Sequence, residues 1–412
     1  MKINAARLWQ RLMAIAADGA IEGGGVNRQA LSAEEFAAWR RVLDWAAESG
    51  FEVCSDAVGN LFIILPGVDR HAAPLLLGSH LDSQPTGGRF DGVYGVLAAL
   101  EVLTSLQENA IRPTCDLIAV SWMNEEGSRF APGMMGSAWF AGQRELAAIR
   151  ACHDADGISV GEALDRLHQV FPLPRYAYSQ SPAAYFELHI EQAPLLEQAN
   201  CPIGVVSGIQ GKHTWQVEIR GESGHAGTVA MDTRRDALQA FTVLAGKLYQ
   251  QIGQYDDRVM FTIGWLEMEP NAPSVIPQRV AFRVDLRHPD AAVLARLATL
   301  TATLIQQHSF CEVSLTPLSA AAPNTFDSGL QQQITDSAAG LNVASMPVLS
   351  AAGHDARYLA TLCPTAMIFI PCRDGVSHAV SEWAEPEHVA AGAAVLLATL
   401  LSCRLPGWQL FR

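Results

Sequence analysis

The feature that most constrains this chain is a series of short apolar runs, each ending at a polar loop that contains glycine. Residues 61–65 (LFIIL), 74–77 (PLLL), 116–122 (DLIAVSW) and 365–370 (TAMIFI) have strand length. Helix-length stretches lie between them, among them 93–107 (VYGVLAALEVLTSLQ) and 388–401. Strands that alternate with helices predict an α/β fold around a mostly parallel central sheet. The middle of the chain has a different rhythm. Residues 215–220 (WQVEIR) alternate, 234–252 are helix-like, 259–265 and 280–286 are strand-like, 291–308 are helix-like and 311–315 strand-like. That order, β-α-β-β-α-β, predicts an inserted ferredoxin-like α+β domain. A chain of 412 residues also exceeds what one core usually serves. The expected division is a catalytic domain split over 1–210 and 323–412 and a second domain at 211–322, with Gly208, Gly211 and residues 320–323 as hinges.

Composition narrows the function. The chain is 49% hydrophobic and 17% charged, with a formal net charge of −14, as in a well-packed enzyme. An acidic surface argues against nucleic acid and against an anionic membrane as partner. It leaves an anionic small substrate open, because a local arginine or metal cluster overrides the global field. Eight cysteines are scattered with no C-x-x-C pair, which predicts reduced thiols, a cytoplasmic location and no zinc ribbon. Near the N-terminus, Leu8, Leu12, Met13 and Ile15 are spaced as one helix face rather than as a secretory signal. No apolar run is long enough to span a membrane.

The metal-competent side chains fall where such a fold builds sites, beyond the carboxyl ends of strands. After PLLL comes GSHLDS, with His80 and Asp82; GGRFDG then places Asp91 before the helix at 93. After DLIAVSW comes MNEEGS, with Glu125 and Glu126, and after TAMIFI comes CRDGVSHAVSE, with His378. A fourth run, 185–190 (YFELHI), reads as an alternating strand carrying His189. Imidazole and carboxylate suit zinc and its neighbours. Two ions need a bridging carboxylate, and Asp91 is the natural bridge. His80 and His189 complete one ion, Glu126 and His378 the other. Asp82 sits two residues after His80 and can fix its tautomer. Glu125 can stand off the metals and act as general base and then general acid, since coordination lowers the pKa of water toward about 7.

Taken singly these residues say little. An isolated H-x-D is weak, adjacent glutamates are usually a solvated face, and His378 alone could be a loop residue. Trp122, Trp139 and Trp265 read as core. Cys372, near His378, lacks any base and orienter spacing for a nucleophile.

Together the motifs GSHLDSQPTGGRFDGVYGVLAALEVL, NEEGSRF, ELHIEQ, GESGHAGT, SAAGHDA and SHAVSE resemble those of the N-carbamoyl-L-amino-acid hydrolases, β-ureidopropionases (β-alanine synthases) and allantoate amidohydrolases, over nearly the whole chain. The resemblance implies a di-metal centre held by His80, Asp91, Glu126, His189 and His378, with Glu125 as catalytic base. It implies a homodimer joined through the smaller lid domain. His225, in GHAGT, then polarises the scissile carbonyl from the partner subunit. Gln192, Arg287 and Gly353 match substrate contacts, Arg287 holding a carboxylate. His189 stands where other branches of the wider clan carry Asp. Two positions depart from the pattern. Ser274 begins a stretch SVIPQ where NVIPG or NVVPG is usual, thirteen residues before Arg287, and Asn271 lies three residues earlier. Ala193 replaces a usual Gly.

The expected activity is cleavage of the carbamoyl (ureido) C–N bond of an N-carbamoyl amino acid to amino acid, CO₂ and ammonia. The cofactor is two divalent ions, zinc by default, with manganese, cobalt or nickel also admitted. Allantoate hydrolysis, an aminoacylase or dipeptidase activity, and a silent binding protein on the same scaffold are the rivals.

Overall fold

The computed structural model describes residues 1–307 and 310–411. His308, the last residue of the helix expected at 291–308, lies outside them. The chain divides into two compact units, Met1–Ser207 with Phe326–Arg412, and Gly208–Thr325.

The first unit is built on a mixed sheet that is parallel at its centre. Leu75–His80 pairs in parallel with Leu117–Trp122 on one side and Ala184–Ile190 on the other, and Ala184–Ile190 pairs in parallel with Thr365–Ile370. Antiparallel strands flank this core: Leu61–Leu65 and then Glu52–Ser55 at one edge, Ile203–Ile209 at the other. The four parallel strands are buried along their whole length, as expected for strands covered on both faces. This corrects the alternating reading of 185–190: both faces of that strand are inside. The PLLL run also continues further than expected, so His80 is the last strand residue rather than a loop residue.

One helix carries much of the core. Val93–Glu108 is buried at every position from Val93 to Leu106, because its sequence is apolar on all sides. Its one internal charge, Glu101, is satisfied by the backbone N–H of Asn4 at 2.7 Å, the Arg7 guanidinium at 2.7 and 2.8 Å, and the Ser105 hydroxyl at 3.0 Å. That cluster docks the first helix, Ala5–Ile15, whose buried residues are Leu8, Arg11, Leu12 and Ile15. Trp122 is fully buried, and Trp139, partly buried, packs against the core that Val93–Glu108 carries.

The second unit has the order β-α-β-β-α-β and a four-stranded antiparallel sheet. The spatial order is Met260–Glu269, Arg279–His288, Gly211–Arg220, Glu312–Ala321. Helices Ala237–Gln251 and Ala291–Gln307 share its core, where Trp215, Val217, Ile219, Phe282, Val284 and Leu286 meet Leu244, Leu248 and Leu297. Residues one step out of phase on the strands carry charge: Arg279 pairs with Glu218 at 2.7 Å and Glu269 at 2.9 Å. Trp265, expected in the core, instead lies under the Arg283 guanidinium at 4.8 Å. Among the described residues no helix is long and apolar enough to cross a membrane.

Leu97 is fully buried on the central helix, so Leu97→Ala is expected to cost about 2–5 kcal/mol. The same change at exposed Leu341 is expected to stay within about 0.5 kcal/mol. Denaturation midpoints of the two variants check this; an unshifted midpoint for Leu97→Ala contradicts the packing described.

Candidate metal centre

The parallel strands end side by side, and their ends deliver the polar residues. His80 closes Leu75–His80, Glu125 and Glu126 follow Leu117–Trp122, His189 is the penultimate residue of Ala184–Ile190, and His378 lies in the loop after Thr365–Ile370. Asp91 enters from the turn that starts the central helix.

Asp91 lies against three histidines. Its Oδ1 lies 3.4 Å from His80 Nε2 and 3.2 Å from His189 Nε2, and its Oδ2 lies 3.3 Å from His378 Nε2. His378 Nε2 is also 3.3 Å from Glu126 Oε2. Two groups of donor atoms result, His80–Asp91–His189 and Asp91–Glu126–His378, each within 4.8 Å. Asp91 belongs to both, one oxygen facing each.

Metal ions fit this arrangement on three grounds. First, the other ring nitrogens of both buried histidines face carbonyls: His80 Nδ1 lies 3.0 Å from Asp82 O, and His189 Nδ1 lies 2.9 Å from Ile190 O. Carbonyls only accept, so Nδ1 of each ring donates there and Nε2 is the nitrogen turned toward Asp91 and available to a metal. Second, two ligands each about 2.0–2.2 Å from one tetrahedral ion sit roughly 3.4 Å apart, close to the observed N···O distances. Third, Glu126 Oε1 is buried with no hydrogen-bond partner.

The electrostatics agree. Burial, helped by the neighbouring charges of Asp355, Glu126 and Asp82 against the pull of His80, raises the Glu125 pKa well above the carboxylate range. Burial and the Asp91 charge raise Glu126 to about 7. Burial opposes charge on His80, yet Glu125, Asp82 and Asp91 together hold its pKa well above the usual histidine value. The site has more anionic groups than its histidines balance, the condition that divalent cations relieve.

The structure assigns local geometry to the other residues picked from sequence. The Asp82 carboxylate accepts the backbone N–H groups of Glu125 and Glu126, at 3.2 and 3.1 Å, and stands 3.5 Å from His80 Nδ1. Asp82 therefore fixes the ring chiefly through its own main-chain carbonyl, and its carboxylate fixes the two glutamates. Glu125 Oε2 lies 3.6 Å from His80 Nε2. Gln192 Nε2 donates to Asp91 Oδ2 at 2.7 Å. Gly353 lies against the thioether of Met134, a residue whose backbone N–H donates to Glu125 O at 2.8 Å.

Four residues here were not singled out from sequence. Gln84 Nε2 donates to Glu126 Oε2 at 2.8 Å. Ser377 Oγ lies 2.8 Å from Asp91 Oδ2, and Glu382 accepts the backbone N–H of Asp91 at 3.1 Å. The buried His354 ring packs edge-on to His189, centroids 4.6 Å apart; burial, and then the neighbouring His189, hold its pKa well down. The signals were present but faint: Gln84 closes GSHLDSQ, and Glu382 follows His378 by four residues. Gly92 is required in this turn. Its φ is +64°, and a Cβ there would lie 2.2–2.4 Å from the His80 ring.

Within the second unit, His225 and Ser274 come together. Gly224–His225 pairs with Val275–Ile276, and Ala226 N donates to Ser274 O at 3.0 Å. Gly227 N donates to His225 Nδ1 at 3.0 Å, so the exposed ring keeps its proton on Nε2, a donor free to reach outward. Asn271 is exposed in the loop that precedes this ribbon. Arg287, on a sheet strand, holds Asp285 with Nε at 2.8 Å and Nη2 at 3.3 Å.

The sequence pattern of Peptidase family M20/M25/M40 matches residues 76–402, and the chain belongs to that family. Its members typically depend on two metal ions. The chain is similar to the N-carbamoyl-L-amino-acid amidohydrolase of Rhizobium meliloti, 36% identical over 404 residues, covering 97% of this chain and 96% of that one. It is similar to the allantoate amidohydrolase of Bacillus subtilis (strain 168), 32% identical over 383 residues and 92% of each chain. A crystal structure of a hydantoinase/carbamoylase family amidase from Burkholderia multivorans matches with a TM-score of 0.87 and 41% identity, covering 97% of this chain and 98% of that one. The chain is thus a hydrolase of carbon–nitrogen bonds, an amidohydrolase of the carbamoylase and allantoate amidohydrolase type.

Replacing Asp91 by Ala removes the only group common to both donor sets. Metal analysis after dialysis is expected to fall from two ions per wild-type chain to one or none. Gly92→Ala, which pushes the His80 ring aside, is expected to lose the His80–His189 ion. Retention of two ions by Asp91→Ala contradicts the shared-carboxylate arrangement.

Proposed function

We propose that this enzyme hydrolyses the carbamoyl C–N bond of an N-carbamoyl amino acid, releasing the amino acid, CO₂ and ammonia. The observation that carries the reading is the Asp91 carboxylate placed between two imidazole-containing donor sets, with Glu125 beside them. His80, Asp91 and His189 hold one divalent ion, and Asp91, Glu126 and His378 the other, zinc being the default metal. When bound, the ions supply Lewis acidity and an acidified water.

The chain's own groups do the rest. Glu125, buried and with a raised pKa, takes the proton of the attacking water and delivers it to the leaving nitrogen. Asp82 positions Glu125 through its backbone N–H. His225 donates from Nε2 to the carbonyl oxygen as it gains negative charge; in the proposed homodimer the partner subunit's His225 serves each site. Arg287 anchors the substrate carboxylate with its guanidinium fork. Gln192, the Gly353 backbone and, in the place of the family's Asn, Ser274 with Asn271 complete the substrate contacts. The substrate is a small ureido carboxylate, and the working compartment is the cytoplasm. Similarity to an allantoate amidohydrolase keeps allantoate as the second reading.

Ammonia release across N-carbamoyl-α-amino acids, N-carbamoyl-β-alanine and allantoate, with zinc or manganese restored after chelation, tests the substrate. Turnover of an N-carbamoyl amino acid is expected; turnover of allantoate alone, or of N-acyl substrates alone, replaces the proposal. Glu125→Gln is expected to lower kcat by about 10²–10⁴-fold with both ions retained. If His225 acts across a two-fold dimer, equal mixing of Glu125→Gln and His225→Ala subunits after subunit exchange regains about a quarter of wild-type activity. No regain places His225 in its own subunit's site or outside catalysis.

A further inference from the structure

The Glu382 carboxylate ties together two loops from opposite ends of the chain. One oxygen accepts the backbone N–H groups of Phe90 and Asp91, at 2.9 and 3.1 Å. The other lies 3.0 Å from Ser377 Oγ, which lies 2.8 Å from Asp91 Oδ2. Glu382 therefore grips Asp91 twice, directly at its backbone and through Ser377 at its side chain. His378, the neighbour of Ser377, sits in the same loop. Glu382 is 2% exposed, and the loop that covers it has no room for a side chain: a Cβ on Gly88 would lie 2.0 Å from Glu382 Cδ. Burying a carboxylate without a cationic partner is costly, and the ion pairs of this region run from the histidines to Asp91 and Glu126 instead. Such a group persists where its hydrogen bonds hold something in place.

We propose that Glu382 is the positioning residue of the metal centre: it sets the backbone and, through Ser377, the rotamer that lets Asp91 present one oxygen to each donor set. This rests on the di-metal reading above. A carbonyl oxygen accepts the two N–H groups as well as a carboxylate does, and an amide NH₂ can donate to Ser377. Glu382→Gln therefore preserves every contact, whereas Glu382→Ala removes all of them.

The test is metal affinity, measured by competition with a chromophoric chelator on apo-protein reloaded with zinc, together with the visible spectrum of the cobalt-loaded protein. Melting of the apo forms serves as the folding control. Loss of an outer partner typically weakens metal binding about 10–100-fold, and that loss is expected for Glu382→Ala, with an altered cobalt spectrum. Glu382→Gln is expected within roughly threefold of wild type. Wild-type affinity and spectrum in Glu382→Ala overturn the proposal, as does a Glu382→Gln variant as weak as the alanine. Should Glu382→Ala not fold, Ser377→Ala carries the test: about tenfold weaker binding is expected on the same grounds, and wild-type affinity overturns it. A wild-type chain that binds no zinc at all instead removes the di-metal reading itself.

Discussion

One carboxylate organises the active half of this molecule. Asp91 offers one oxygen to His80 and His189 and the other to His378, and the three distances agree within 0.2 Å, 3.2 to 3.4 Å. The Nδ1–H bonds of His80 and His189 to main-chain carbonyls turn Nε2 of each ring toward Asp91. The two sets of donor atoms that result suit cations, and the rest of the first unit supplies what such a cluster needs. Parallel strands bring distant residues to one edge, a helix buried from Val93 to Leu106 fixes where Asp91 enters, and glycines at 88 and 92 make room for what must approach closely.

The sequence revealed this layer well because the fold imposes a rule on it. Ligands at the carboxyl ends of apolar, centrally placed strands leave a trace in the chain: an apolar run followed by His, Asp or Glu beside glycine. His80, Glu126 and His378 all obey it. His189 does not, since it lies inside its strand; it is read from the strand-like run YFELHI that carries it and from the motif ELHIEQ. The supporting layer leaves no such trace. Ser377, Glu382, Gln84 and His354 act through hydrogen bonds or ring contacts that tertiary structure alone creates, and their spacing matches no period of helix or strand.

The same reasoning explains the errors of register. PLLL ends as an apolar run at Leu77, but pairing continues through Gly78 on both sides, and Leu117–Trp122 holds Ser79 and His80. Ile203–Ile209 carries two glycines and a serine, which blunt its apolar signal, although it pairs against Thr365–Ile370. Trp265 reads as core in the sequence, but the structure leaves it only partly buried. A cation–π contact with Arg283 gives the indole a partner without enclosing it, a compromise that an amphipathic ring permits.

Ser274 shows how a departure from the expected NVIPG or NVVPG stretch can leave local structure intact. What joins the 274 region to His225 is main chain: Ser274 O accepts from Ala226 N, and Val275 stands opposite His225 in the ribbon. No side chain at 274 enters those bonds, so serine in place of asparagine preserves the placement of His225 and its Nε2 donor. What changes is reach. A hydroxyl on Cβ carries one donor on a shorter arm than an amide, so any group that the longer side chain would contact must lie closer or go without. The fold of the second unit therefore does not depend on which of the two side chains stands at 274.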